Sequence, residues 1–174
     1  MGLYANTLSI VAARRQRKPV RSTPALDALF QQLSGCGSEA DAFAVEDRIW
    51  HVWMHHPHRI ANEALDRSAD DIAARRFDLA ETRLTRLLRS LPDFAEAWHK
   101  RATLYYLLGQ DAQCVEDLSR TLEREPRHFA ALCSFGEILL GEGDREGACF
   151  AFSAALDLHP FLTRARAVVA GALG

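Results

Sequence analysis

The 174-residue chain has no run of about 18 apolar residues, so no segment reads as a membrane-spanning helix. Its four cysteines, Cys36, Cys114, Cys133 and Cys149, follow no short regular spacing, which excludes a disulfide scaffold. There is no GxGxxG, GxxxxGK[ST] or GxSxG stretch and no outstanding carboxylate pair, so no nucleotide-binding or hydrolase motif is present. Net charge is also scarce: a formal −2 gives no bulk attraction for nucleic acid. With 48% hydrophobic and 25% charged residues, the chain is neither disordered nor fibrous, and its length suits one domain with a substantial core.

One absence is local. Residues 1–22 contain no acid, but carry Arg14, Arg15, Arg17, Lys18 and Arg21. The remaining 16 basic and 23 acidic residues leave residues 23–174 at −7. Leu3, Tyr4, Leu8, Ile10 and Val11 precede the arginines. This segment is similar to an organellar presequence, which is amphipathic, arginine-rich and poor in acids. It is expected to be a basic arm held against a partner, with acidic protein, anionic lipid headgroups and RNA phosphate as the candidate surfaces.

What the chain does contain is a period. Pro92, Pro126 and Pro160 are 34 residues apart and divide it into units 61–94, 95–128 and 129–162. Position 8 of the units is small (Ser68, Ala102, Gly136), as is position 20 (Ala80, Cys114, Ala148). Position 24 is large (Leu84, Leu118, Phe152). Gly109 and Gly143 share position 15, where a first helix must stop. Asp111 and Asp144 stand where a second helix begins and are expected to accept from its free amides. Apolar residues within each half recur with helical spacing.

These columns resemble the tetratricopeptide repeat. The matching residues are Trp98, Ala102, Tyr105, Gly109, Leu118 and Pro126 in the second unit. In the third they are Leu132, Gly136, Leu139, Gly143, Ala148, Phe152, Ala155 and Pro160. The first unit is degenerate, with Asp71 at the aromatic position 11 and Arg75 at the glycine position 15. The resemblance implies an all-α, right-handed α-solenoid of about three helical hairpins. Small residues let the helices of a unit approach closely, and each unit needs its neighbours to bury its apolar face.

Flanking segments are expected to complete the stack. Thr23 and Pro24 open a helix over 24–33 that Gly35 ends, and Ser38 opens another over 39–56. This atypical hairpin, residues 23–57, is expected to pack on the first repeat. Residues 163–174, with Ala165, Val168, Val169 and Leu173, form a capping helix. The total is about nine helices and no sheet.

Candidates for chemistry are few. His51 and His55 lie at i, i+4, beside His56 and His58, yet the glutamate of a zinc-protease motif is missing between them and no cysteine completes a structural site. A polar helix face is the expected reading, with no metal and no cofactor. Cys114 replaces a small buried alanine, and Cys133 lacks the electropositive neighbour of a reactive thiol. No enzyme is expected.

In the family that the chain resembles, positions 2, 5, 9 and 12 of the first helices face a concave groove. Here these are Asn62, Leu65, Ala69 and Ile72, then Glu96, His99, Thr103 and Tyr106, then Ala130, Cys133, Glu137 and Leu140. They lack the lysine and asparagine that clamp a C-terminal carboxylate in chaperone-binding members. They suit a docked helix or extended segment, or pack on one another. Two functions follow from the resemblance. One is a non-catalytic scaffold, an accessory subunit or assembly factor bound to other protein subunits of a larger complex. The other is a free-standing peptide-binding adaptor. The presequence-like segment suggests the mitochondrial matrix, and the alternative is the bacterial cytoplasm.

Overall fold

A computed structural model describes residues 2–172 and shows an all-helical protein. Leu173, assigned to the C-terminal cap, lies outside the described residues. Ten α-helices occur among those described: α1 (Leu3–Ala12), α2 (Pro24–Ser34), α3 (Glu39–Met54), α4 (Arg59–Ala73), α5 (Phe77–Ser90), α6 (Ala95–Leu107), α7 (Asp111–Arg124), α8 (Phe129–Gly141), α9 (Arg145–Leu156) and α10 (Thr163–Ala172). The helix beyond the nine expected is α1. None is long and apolar enough to cross a membrane.

The helix ends follow from local chemistry. The Thr23 hydroxyl accepts from the Leu26 amide at 3.1 Å, and the Ser38 hydroxyl accepts from Asp41 at 3.2 Å. Asp144 accepts from the Gly147 amide at 2.9 Å, as expected. Asp111 differs: it is the first residue of α7, behind Gln110, and makes no capping bond, so its charge acts only on the helix dipole. Gly109 and Gly143 adopt left-handed φ values of 67° and 81°. Arg75, at the same position of the first unit, adopts φ 57°, a conformation costly for any residue with a Cβ.

Consecutive helices pack as hairpins, α4 with α5, α6 with α7 and α8 with α9, and each hairpin packs on the next through α5–α6 and α7–α8. Gly136 on α8 leaves room for a side chain of α9. A Cβ there would lie 2.8–3.0 Å from the Phe152 ring of α9. Unit one replaces the missing aromatic with ions: Asp71 is buried and accepts from Arg76 and Arg83, each at 2.8 Å. Within unit two the Arg101 guanidinium forks onto Asp117 at 2.7 and 2.9 Å, and it reaches unit one by donating to the Thr85 hydroxyl at 3.0 Å.

The N-terminal third does not extend the stack. Helix α1 lies across the second helices α7 and α9, burying Ile10 and Val11, with Thr7 and Ser119 hydroxyls 2.5 Å apart. Arg14 and Arg15 both pair with Asp157, so this part of the basic arm is held by the chain itself. The linker then crosses the edge of unit two, where the Val20 amide donates to the Arg124 carbonyl at 2.8 Å. Helices α2 and α3 follow on the other side, over first helices. Expected on the first repeat, this hairpin touches it through Met54 at the end of α3 but sets its aromatics against units two and three, because the histidines and Phe129 there accept them.

Gly136→Ala is expected to lower unfolding stability by about 1–3 kcal/mol, because the buried Phe152 ring has no free space to yield into. Gly141→Ala, on the same helix with nothing within 4 Å of its Cβ, is expected to leave stability unchanged or raise it. Urea denaturation of both variants checks the pair.

Candidate functional site

Helical spacing places Glu46, Trp50 and Trp53 on one face of α3, at i, i+4 and i+7. That face lies over the candidate groove. Trp53 stacks on the His128 ring, 4.2 Å between centroids and 6° from parallel, and packs at 5.1 Å on Phe129. Trp50 meets His99, His128 and Phe129 at 5.8–6.1 Å. Glu46 accepts from the Trp50 indole at 3.1 Å and lies 3.0 Å from Nε2 of His159. Since His159 Nδ1 accepts the Phe161 amide, its Nε2 carries the proton that Glu46 accepts. Arg127 ties α2 to the same edge, stacking on Phe30 and pairing with Asp27 at 2.6 Å.

Beneath the tryptophans is a buried charged cluster. Glu96 Oε2 lies 3.0 Å from His128 Nε2, and Oε1 lies 3.5 Å from His99 Nδ1 and 3.4 Å from Lys100 Nζ. Burial opposes the Glu96 charge, but the attraction of His99 and the hydrogen bond from His128 outweigh it and hold the carboxyl far below the usual range. His128 is displaced downward by burial and by the neighbouring His99. Glu46 is also held low, chiefly by the bond from His159.

Among the described residues, Glu96, His99 and His128 are the one trio of side chains that converges as metal ligands would. The proton inventory does not fit an ion. His128 is the N-cap of α8 and its Nδ1 accepts the Ala131 amide at 3.2 Å. Nδ1 must therefore stay unprotonated, which leaves the proton on Nε2, the atom that faces Glu96. A metal at Nε2 would require that proton to leave with nowhere on the ring to go. The cluster is a hydrogen-bonded ion group. An adjoining cavity of about 530 Å³ is walled by Trp53, Phe94, Glu96, His56, Arg21 and Arg124.

The structure separates the groove residues expected from sequence. Leu65 is fully buried in the core of unit one, and Glu96 and His99 lie beneath α3. Asn62 is half-buried and pins the α3–α4 loop, bonding the His56 amide at 2.7 Å and carbonyl at 3.0 Å. Ala69, Ile72, Ala130, Cys133 and Leu140 are half-buried, and Glu137 is bound by Arg164 of α10 at 2.8 Å. Only Thr103 and Tyr106, the latter 51% exposed, stand open. Of the basic arm, Arg15, Arg17, Lys18 and Arg21 are exposed, Arg15 while paired with Asp157.

The histidines singled out first are separate from this cluster. His51 and His55 do share a face, with rings 4.1 Å apart, but His55 Nδ1 donates to the His51 carbonyl at 2.6 Å. The thiols of Cys114 and Cys133 are pushed up to about 12, first by burial and then by neighbouring acids, and stay protonated at neutral pH. Sequence reasoning passed over Glu46, Trp50, His128 and His159 as a set. The available signal was an acid and two tryptophans on one helical face outside the repeats.

No family model matches the chain. It is similar to a curated bacterial protein described as a TPR repeat-containing protein, from Rhizobium etli, with 30% identity over 135 residues. The match covers 78% of this chain and spans 66% of that relative's length.

The buried histidine makes stability depend on pH. His128 in the fold lies below its ordinary 6.5, so the unfolded chain takes up the proton first and stability falls as pH drops through that value. Glu96, held low, adds a second loss once pH falls below its ordinary 4.5. Urea midpoints measured from about pH 7 to pH 5 are expected to decline, and His128→Asn is expected to flatten that decline. Added zinc is expected to leave the melting temperature unchanged, and a rise would show His128 released from Ala131.

Proposed function

The chain belongs to the tetratricopeptide-repeat family, and from that premise we propose that it is a non-catalytic protein–protein interaction scaffold. In this reading it is a right-handed α-solenoid serving as an accessory subunit or assembly factor of a larger complex. The observation that supports it is the covered groove. Trp50 and Trp53 of α3 already occupy the surface on which a transient peptide receptor would take its ligand. Stable partners then bind the faces that remain, in the manner of a fixed subunit. The exposed Arg17, Lys18 and Arg21 supply the anionic-surface contact expected of the basic arm.

We propose a bacterial rather than a mitochondrial setting, a reading consistent with the bacterial source of that relative. The packing of α1 supports a segment that is retained, since its removal would uncover Val11's site between α7 and α9. The second reading, a free-standing adaptor, rests on the exposed Thr103 and Tyr106.

Tagged full-length protein purified from its native host separates the two. The scaffold is expected to keep a stoichiometric protein partner through gel filtration. Elution alone at the monomer mass, with weak peptide capture that Tyr106→Ala abolishes, would favour the adaptor.

A further inference from the structure

We infer that the outer groove between α4 and α5 is a docking site for an acidic, amphipathic helix of a partner protein. The groove encloses about 510 Å³, with an apolar floor that includes Ile60, Leu79, Leu87 and Leu91. Ile60 is 75% exposed and Leu79 51% exposed, although both sit on helices whose opposite faces build a core. That core is unit one's own, formed by Leu65, Leu84, Leu88, Phe94 and others, so the groove is not a gap left by poor folding.

A stacked hairpin needs cover on each apolar side. Within this chain α6 covers α5, and α10 covers α9 at the far end. The hairpin expected to cover unit one has gone to the groove over α6 and α8, and no helix among the described residues takes its place across Ile60 and Leu79. How such a face is closed is shown at the other end. There α10 buries Ala165 and anchors itself through Arg164, which forks onto Glu137 at 2.8 and 3.1 Å. Cover there is one helix supplying an apolar stripe and a flanking charge.

At the open end the charges have the opposite sign. The polar residues bordering the groove include His58, Arg83 and Arg86, with no carboxylate. Arg83 is already held by Asp71, whereas Arg86 has no ion pair among the described residues. A helix that fits therefore brings apolar side chains at i, i+3, i+4 and i+7 and an acid toward Arg86. A second copy of this chain fits poorly. Face to face it would set Arg86 against Arg86, and its α10 end presents Arg145. This surface lies apart from the candidate groove, and the inference does not depend on how that groove is used.

The test uses the full chain and two synthetic helical peptides of about four turns, identical in their leucine stripe. One carries glutamates on its flank and the other lysines. Fluorescence anisotropy is expected to show binding of the glutamate peptide alone, with methyl resonances of Ile60, Leu79 and Leu87 shifting. Arg86→Glu is expected to weaken that binding at least about tenfold and to admit the lysine peptide. Leu79→Asp is expected to abolish binding of the glutamate peptide. These side chains are exposed, and an unchanged melting temperature shows each variant folded. Equal binding of the two peptides, no binding of either, or indifference to Arg86→Glu overturns the inference. So does a dimer in sedimentation that Leu79→Asp dissociates, since the occupant would then be a second copy.

Discussion

A carboxylate with no access to water must be compensated on the spot, and Glu96 is the group on which the arrangement of this protein turns. His128, His99 and Lys100 surround it within 3.5 Å. That requirement reaches well beyond one residue. It brings the end of unit two onto the first helix of the same unit. It also orients the His128 ring so that its other nitrogen caps α8. The ring face left over becomes the platform for Trp53. One buried charge thereby links α6, α8 and α3, and the low dielectric that makes it costly alone strengthens its attraction to the few cationic and donor groups around it.

The N-terminal third works as a clamp around this centre. Helix α1 holds the second helices α7 and α9 from one side, while α2 and α3 sit over the first helices on the other. The linker between them is tied to the edge at Arg124, and α2 is tied to it at Arg127. Units two and three are therefore braced on both sides and share one continuous core. Unit one has a smaller core of its own and keeps an open outer groove. The asymmetry distinguishes a closed region, suited to rigidity, from an end suited to association.

The regular part of the fold was legible in advance because its determinants are local. The prolines 34 residues apart, the small residues at positions 8 and 20, and the glycines at position 15 each answer to contacts or torsions within one hairpin. Arg75 shows that the backbone follows the unit even where the side chain does not match it. The candidate site was legible only in part. Glu96 and His99 were identified from their repeat positions, but as residues of an open surface. Their burial depends on Trp50 and Trp53, which lie outside the repeats and whose partners sit far along the chain. No periodicity encodes such a pairing.

The sequence by itself determined nine of the ten helices, caps such as Thr23, Ser38 and Asp144, and the pairing into repeated hairpins, since hydrophobic spacing, capping and turn torsions act over a few residues. Tertiary structure alone decided where the first 57 residues go. A hairpin with an apolar face could have capped unit one equally well by pattern. It lies over units two and three because Phe129, His128, His99 and His159 there offer flat rings and hydrogen-bond donors that match Trp53, Trp50 and Glu46. Complementarity of shape and charge between distant residues made that choice, and with it left the outer groove of unit one uncovered.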